Sequence, residues 1–271
     1  MKNLFFINRL YLGYLNFNRK CFNMDILVNI LGIEFSRLNL KETVAIIDNK
    51  VSKNGNKIFH IITVNPEIAV QIQEDQELKK ISLEADMITP DGVGIVFASR
   101  LKGNPVQERI TGYDLFLECL KVGNQRGWSF YLLGSDEDVN RKATEYIIKN
   151  YPNVKIAGRH HGYFKEEEDN KIVQNIVKSK PDILIVALGS PLADKWIYRH
   201  KSELNTKVVF GVGGTLDTIT GKVKTTPEIW KKLNLEWLHG RITQPSRKER
   251  QKKLKVFVYK VFIEAIRKDR T

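Results

Sequence analysis

Residues 58–70 read IFHIITVNPEIAV, and this stretch decides the fold class. Residues 58–64 form a short apolar run rich in β-branched side chains, which is typical of a buried strand. Pro66 follows Asn65 directly, and this pair predicts a helix with proline in its first turn behind a polar cap. A strand that leads at once into a helix is the repeating unit of parallel α/β sheets.

The same alternation continues along the chain to about residue 220. The segments 136–150 and 166–178 repeat apolar residues at helical spacing, and short apolar runs stand between such segments. These runs predict strands at residues 87–89, 128–133, 154–157, 183–188 and 208–210. We therefore predict an α/β fold with a Rossmann-like, largely parallel sheet and helices on both faces.

Composition narrows the class of protein further. The chain has 271 residues with 42% hydrophobic content, enough for one good-sized core. Its cysteines, Cys21 and Cys119, cannot form a disulfide framework, which favours a reducing cytosol. No window offers the roughly 18 uncharged apolar residues of a membrane-spanning helix.

The positive charge is concentrated at one end of the chain. The formal net charge is +13, and most of it lies in residues 222–271. We predict short helices at 225–235 and 236–242 and a longer one at 246–268. The last helix has basic residues around an apolar stripe. The stripe consists of Leu254, Phe257, Val258, Val261, Phe262 and Ala265. This pattern is open to two interpretations, a helix lying on anionic lipid or a helix docked on the core with a solvated basic face.

These patterns divide the chain into three parts. Residues 24–221 are predicted to form the Rossmann-like domain, and residues 222–271 a basic helical appendage. Residues 1–23 do not resemble a signal peptide, because charges and asparagines interrupt the apolar run. We interpret them as an extension outside the domain or as a surface-binding arm.

Ligands of an open parallel sheet collect at the carboxyl ends of its strands, so the residues that end each apolar run are candidates. Asp91 follows the run at 87–89 and is suited to accept a proton from a substrate hydroxyl. The alternative is that Asp91 caps a helix starting near Val93. Thr63 and Asn65 are suited to hydrogen-bond a sugar or base, although Asn65 also fits a helix cap.

Other motifs carry weaker signals. The glycine turn that contains Gly213 allows backbone N–H groups to approach a diphosphate, but it lacks the full GxGxxG fingerprint. Arg109 precedes a helix capped by Thr111 and can pair with a phosphate or with Asp114. Adjacent histidines at 160–161 rarely point to one metal, and no carboxylate-rich element stands nearby, so we expect no metal site there.

Six strings of this sequence occur in a characteristic order. They are TVNPEIAV at 63–70, ADMITPDGVGIV at 85–96, ERITGYDL at 108–115, HGYF at 161–164, GSPLADKWI at 189–197 and GVGGTLDTITGKVKTTPEIWKKLNLEWLHGRITQP at 211–245. Together they resemble the WecG/TagA/CpsF glycosyltransferases, and the resemblance covers about residues 26–260.

The resemblance implies a reaction. Such enzymes transfer N-acetylmannosamine, or its uronic acid, from UDP to N-acetylglucosaminyl-diphospho-undecaprenol, with inversion and without a metal or other cofactor. It implies a cytoplasmic enzyme at the inner face of the plasma membrane, held to the anionic lipid surface by the basic appendage. No nucleic-acid partner is expected, and assembly of several copies is left open.

The resemblance also assigns roles to residues. Asp91 falls on the family's catalytic base, and Thr63 joins it in the catalytic pocket. The remaining positions fall on expected substrate-binding residues, namely Asn65, Arg109, Tyr163, Gly189, Gly213, Arg247 and Arg250. The two carboxy-terminal arginines are expected to meet a diphosphate, because guanidinium groups offset the charge of a departing nucleotide.

The sequence departs from the family pattern at several positions. Ala193 stands where the family has a glutamine, and His239-Gly240 replaces a tyrosine–arginine pair. The family string EPRR is QPSR here, at residues 244–247. These departures keep open a different UDP-sugar donor or an inactive relative. A dehydrogenase would need a fuller phosphate-binding fingerprint, and a nucleic-acid-binding protein would interleave aromatic and basic residues.

Overall fold

A computed structural model of the chain describes residues 26–53, 57–223 and 248–268. The extension predicted at 1–23 and the short helices predicted at 225–235 and 236–242 lie outside the described residues. Helices and strands are numbered below in chain order over the described ranges.

Six parallel strands form the central sheet, in the spatial order β4-β3-β8-β7-β5-β6. Every neighbouring pair is parallel, which confirms the predicted α/β fold. The strands are β3 (Phe59–Val64), β4 (Met87–Pro90), β5 (Ser129–Gly134), β6 (Lys155–His160), β7 (Ile183–Ala187) and β8 (Val208–Gly211). The prediction for β6 ended too early, because this edge strand is only partly buried and its second half is not apolar.

A small antiparallel hairpin precedes the sheet; residues 26–35 are a strand-like run in the sequence, but the turn within them was not predicted. It consists of β1 (Leu27–Ile30) and β2 (Ile33–Ser36). Leu31 and Gly32 both have positive φ, at 53° and 78°, as a tight two-residue hairpin turn requires. Buried apolar side chains of both strands pack in one cluster with β3 and β4.

Ten helices are described, and they cover both faces of the sheet. They are α1 (Leu40–Ser52), α2 (Pro66–Glu74), α3 (Gln76–Glu84), α4 (Val93–Leu101), α5 (Gly112–Arg126), α6 (Glu137–Asn150), α7 (Glu166–Ser179), α8 (Leu192–His200), α9 (Thr215–Ile219) and α10 (Lys248–Lys268). The core on one face includes α1, α5, α6 and α9, and the core on the other includes α2, α3, α4, α7, α8 and α10. None of these helices is long and apolar enough to cross a bilayer.

The direction of the connections positions the site. After β5 the chain enters α6 on one face, and after the neighbouring strand β7 it enters α8 on the other. The strands β3 and β8 are also neighbours, and the chain continues from them into α2 and α9 on opposite faces of the sheet. The pairs β8 and β7 and β5 and β6 diverge in the same way, so ligand crevices are expected along the carboxyl edge from β3 to β6.

The helix α10 docks on the core through only part of its apolar surface. Phe257 and Val261 are buried against α2 and α4, whereas Val258 and Phe262 remain exposed. Ion pairs fix the docking, since Lys253 Nζ lies 2.6 Å from Glu74 and Glu264 lies 3.0 Å from Lys102. The docked interpretation is therefore confirmed for one face, and a second apolar face stays open to solvent.

Candidate active site at the carboxyl edge of the sheet

Asp91 directly follows β4 at the carboxyl edge. Its backbone N–H donates to the carbonyl of Val64 at 2.9 Å, which ties the turn to the end of β3. The helix α4 starts at Val93, but its cap residue is Gly92, with φ of 108° and no capping side chain. The cap position of that helix is therefore held by Gly92, and the half-buried Asp91 lies at the carboxyl edge of the sheet.

Thr63 and Asn65 lie on the neighbouring strand end. Thr63 pairs in register with Thr89, two residues before Asp91. A Cβ atom added to Gly112, in the first turn of α5, would lie 3.6 Å from Thr63 Oγ1, so α5 begins directly over this hydroxyl. Asn65 is a helix cap, as the alternative interpretation held, because its Oδ1 accepts from the N–H of Ile68 at 2.9 Å.

The segment that carries Arg109 is anchored beside Asp91. The N–H of Ile110 donates to the carbonyl of Pro90 at 2.8 Å, which places half-buried Arg109 next to the end of β4. Thr111 is the predicted cap, since its Oγ1 accepts from the N–H of Asp114 at 3.0 Å. The first turn of α5 thus faces the ends of β3 and β4, where its N–H groups favour an anion.

A second group of candidate residues lies at the ends of β5, β6 and β7. Gly134 ends β5 against Ala187, and a Cβ atom at Gly134 would lie 2.4 Å from the Ala187 carbonyl carbon. Gly189 has φ of 77°, and a cis peptide bond joins Ser190 to Pro191. Tyr163 follows β6 and is 80% exposed, so its ring is open to a ligand.

Two other predicted elements lie along the same edge. Gly213 has φ of 53° and belongs to the turn that follows β8. The rings of His160 and His161 lie 4.6 Å apart. Within the described ranges, no group of three or more His, Cys, Asp or Glu residues is arranged to hold a metal ion.

Sequence reasoning missed Asp194, which lies in the first turn of α8. Its residue surface is only 7% exposed, and burial raises the pKa of its carboxyl from 3.8 to about 7. A Cβ atom at Gly211, the last residue of β8, would lie 3.6 Å from Asp194 Oδ1. The only sequence signal was a carboxylate shortly after a strand, and such a residue usually does no more than favour a helix start.

The start of α10 lies toward the same edge. Phe257 Cε1 is 3.7 Å from a Cβ atom placed on Gly94, at the start of α4, while Glu264 pairs with Lys102 just beyond its end. The two helices therefore run in the same direction. Arg250 lies two turns before Phe257, roughly 10 Å along the helix axis, on the side of the carboxyl edge. Arg247 lies outside the described residues.

Fold and site together define a class of protein. It is a doubly wound α/β protein, and proteins of this kind bind their ligands at the carboxyl edge of the parallel sheet. A carboxyl, a hydroxyl and turns with glycines at positive φ lie along that edge.

Comparison with known proteins identifies the family. The chain belongs to the glycosyl transferase WecG/TagA/CpsF family, whose sequence model matches residues 28–271, and it is therefore a glycosyltransferase. A protein of Staphylococcus aureus strain MRSA252 is 34% identical over 234 residues, covering 86% of this chain and 91% of that protein. Its name is N-acetylglucosaminyldiphosphoundecaprenol N-acetyl-beta-D-mannosaminyltransferase. Proteins of the same name from strains COL and MW2 are 33% identical over the same length.

Proposed function

We propose that the chain transfers N-acetylmannosamine, or a related N-acetylhexosamine, from a UDP-sugar to N-acetylglucosaminyl-diphospho-undecaprenol. The reaction would invert the anomeric centre, need no metal, and serve the synthesis of a cell-wall or surface polymer such as teichoic acid. The names of the staphylococcal relatives support the sugar and the acceptor. The position of Asp91 at the end of β4 carries the mechanism, because it puts a carboxylate where substrates of such a sheet bind.

The proposed step is a direct displacement. The carboxylate of Asp91 accepts the proton of the acceptor hydroxyl, and the hydroxyl oxygen forms a bond to the anomeric carbon of the donor. The bond from that carbon to the phosphate oxygen breaks, and UDP leaves with the electron pair. Attack opposite to the leaving group inverts the configuration. Thr63 Oγ1 and the side-chain amide nitrogen of Asn65 would orient the sugars, since Asn65 Oδ1 is already used by its cap.

The departing diphosphate gains negative charge, which cationic groups must offset. Arg109 is suited to this role, because its backbone is held beside Asp91. We place Arg250 and Arg247 in the same role, since α10 starts on that side of the molecule. Gly213 would let backbone N–H groups of its turn approach the diphosphate, and Gly189 would do so after β7.

Residues 222–271 would form an appendage that brings the enzyme to the inner face of the plasma membrane, as a peripheral protein. An undecaprenyl acceptor lies in the bilayer, so the site must reach the lipid surface. Six apolar side chains are exposed on the packed helices α4 and α10 and are together called the apolar surface here, namely Phe97, Leu101, Val258, Tyr259, Phe262 and Ile266. The basic residues of the chain end would add attraction to anionic lipid.

A different UDP-sugar donor is the second candidate, and one observation favours it. Ala193 stands where the family has a glutamine, and it is buried with its Cβ 3.3 Å from a Cβ atom placed on Gly211. The amide that would line this part of the site is therefore missing. The same departure keeps an inactive relative as the remaining alternative.

The test is UDP release from UDP-N-acetylmannosamine and a short-chain N-acetylglucosaminyl-diphosphate lipid, with EDTA present. Asp91→Asn should lower the rate by roughly two orders of magnitude or more, because the amide cannot accept the proton. Asp138→Asn, an exposed carboxylate on α6, is the matched control and should keep full activity. Undiminished activity of Asp91→Asn would sink the base assignment. A wild type inactive with every UDP-sugar in a panel would refute the transferase function.

A further inference from the structure

Asp194 is a buried carboxyl without a partner. Across residues 26–53, 57–223 and 248–268, no hydrogen bond or ion pair to its carboxyl is found, although it is only 7% exposed. Asp169, which is equally buried, accepts from Trp196 Nε1 at 2.6 Å and lies 2.9 Å from His200 Nε2. Buried polar groups are normally hydrogen-bonded, so the isolation of Asp194 needs an explanation.

A second orphaned group lies in the same turn. The hydroxyl of Ser190 is buried and finds no hydrogen-bond partner in the described part of the chain. It lies one helical turn before Asp194 in sequence, at the cis bond to Pro191. The oxygens of Asp194 are not among the fully buried unsatisfied atoms, so they keep some contact with solvent. A ligand can therefore reach this strand end and supply the missing hydrogen bonds.

The carboxyl lies against the active-site edge of the sheet. Gly211 ends β8, and the Cβ atom that it lacks would stand 3.6 Å from Asp194 Oδ1. The neighbouring β7 ends at Ala187, and the turn after it carries Gly189 at φ of 77°. Asp194 therefore lies at the carboxyl ends of β7 and β8, beside one crevice of the sheet.

The distance to Asp91 decides which substrate reaches this place. The strands β4 and β7 are separated by β3 and β8, and three strand spacings amount to about 14 Å. The acceptor hydroxyl must lie at Asp91, so the far end of the edge is left for the donor. A carboxylate there repels phosphate oxygens but accepts from a hydroxyl or an N–H group.

We propose that the Asp194 carboxyl and the Ser190 hydroxyl hydrogen-bond a hydroxyl or N–H group of the nucleotide-sugar donor, which makes Asp194 a specificity-determining residue. This inference rests on the proposed transferase function. With Ala193 contributing no polar atom, Asp194 and Ser190 supply the polar side chains of this turn.

The experiment compares wild type with Asp194→Asn, Asp194→Ala and Ser190→Ala. The Michaelis constant is measured separately for donor and acceptor, and binding of UDP and of the intact UDP-sugar is measured by calorimetry. Asp194→Ala should raise the donor constant at least roughly tenfold and leave the acceptor constant unchanged, as loss of a charged hydrogen bond predicts. The matched control is Asp169→Asn, a buried carboxyl against the same helix, which should lower the melting temperature but not change the donor constant.

Comparing UDP with the intact UDP-sugar shows whether the group that hydrogen-bonds Asp194 belongs to the nucleotide or to the transferred sugar. Weaker binding of both UDP and UDP-sugar in the Asp194 variants would place the hydrogen-bonding group on the nucleotide. Weaker binding of the UDP-sugar alone would place it on the transferred sugar. An active wild type with unchanged donor kinetics and binding in both Asp194 variants would overturn the inference. An inactive wild type that binds no UDP-sugar would instead count against the transferase function itself.

Discussion

Replacing Asp194 with asparagine should stabilise the protein, and the gain should grow with pH. Burial raises the pKa of this carboxyl from 3.8 to about 7 in the folded chain. At low pH the carboxyl is protonated in both states, and its contribution to stability is fully present. As pH rises toward the folded pKa, the unfolded chain releases the proton first, so the wild type loses stability.

The magnitude follows from the two pKa values. Each pH unit between 3.8 and about 7 shifts the unfolding free energy by about 1.36 kcal/mol, so the full loss is about 4 kcal/mol. Between about pH 5 and pH 8 the Asp194→Asn variant should gain about 3 kcal/mol relative to wild type. The amide is equally buried but does not titrate, so any penalty for its own hydrogen bonds is a constant offset.

Equilibrium unfolding in guanidinium chloride at several pH values measures this difference directly. His60 titrates in the opposite sense, since burial lowers its pKa from 6.5 to about 3, but it is present in both proteins and cancels in the difference. A difference between variant and wild type that stays flat from about pH 5 to pH 8 would refute the reasoning. If Asp194→Asn is more stable than wild type but binds the donor more weakly, the carboxyl is retained for function at the expense of stability.

Two further predictions concern the lipid surface and the sheet. Phe262→Glu should weaken binding to phosphatidylglycerol vesicles roughly tenfold in a sedimentation assay, because an exposed phenyl ring that would enter the lipid is replaced by a negative charge. Ile148→Glu, an equally exposed site on the opposite sheet face, should bind like wild type, and equal binding of both variants would refute the lipid role. Gly134→Ala should lower the unfolding free energy by about 3 kcal/mol, because its Cβ would lie 2.4 Å from Ala187. Gly103→Ala, at φ of 74° with open space around it, should lose only about 1 kcal/mol, and equal losses in a denaturation series would contradict the steric argument.

Local signals were enough to predict most elements of the sheet. The apolar runs located the six strands, because parallel strands buried on both faces must be almost continuously apolar. The helix caps at Asn65 and Thr111 could also be predicted from the sequence, because each cap hydrogen bond joins residues only three positions apart. The hairpin of β1 and β2 was missed, because its positive-φ turn at Leu31 and Gly32 carries no strong turn signature.

The roles expected for Asp91 and Arg109 also came from the sequence, because six strings in a fixed order carry the family resemblance. Pattern alone left Asp91 between a base and a helix cap. The tertiary structure places Gly92 at the cap position of α4, one residue after Asp91. It also set Arg109 beside Asp91 through the hydrogen bond from Ile110 to Pro90.

By itself, then, the sequence determined the strand–helix alternation, the helix caps and the family, since each depends on residues close together in the chain or on strings of letters. Only the tertiary structure decided the order of the strands. It also decided which apolar residues of α10 are buried, such as Phe257, and which are exposed, such as Phe262. It also decided the isolation of Asp194, whose carboxyl is exposed or buried according to what covers it. Gly211 of β8, which lies near this carboxyl, follows 17 residues later in the chain, so no local pattern around Asp194 contains the information.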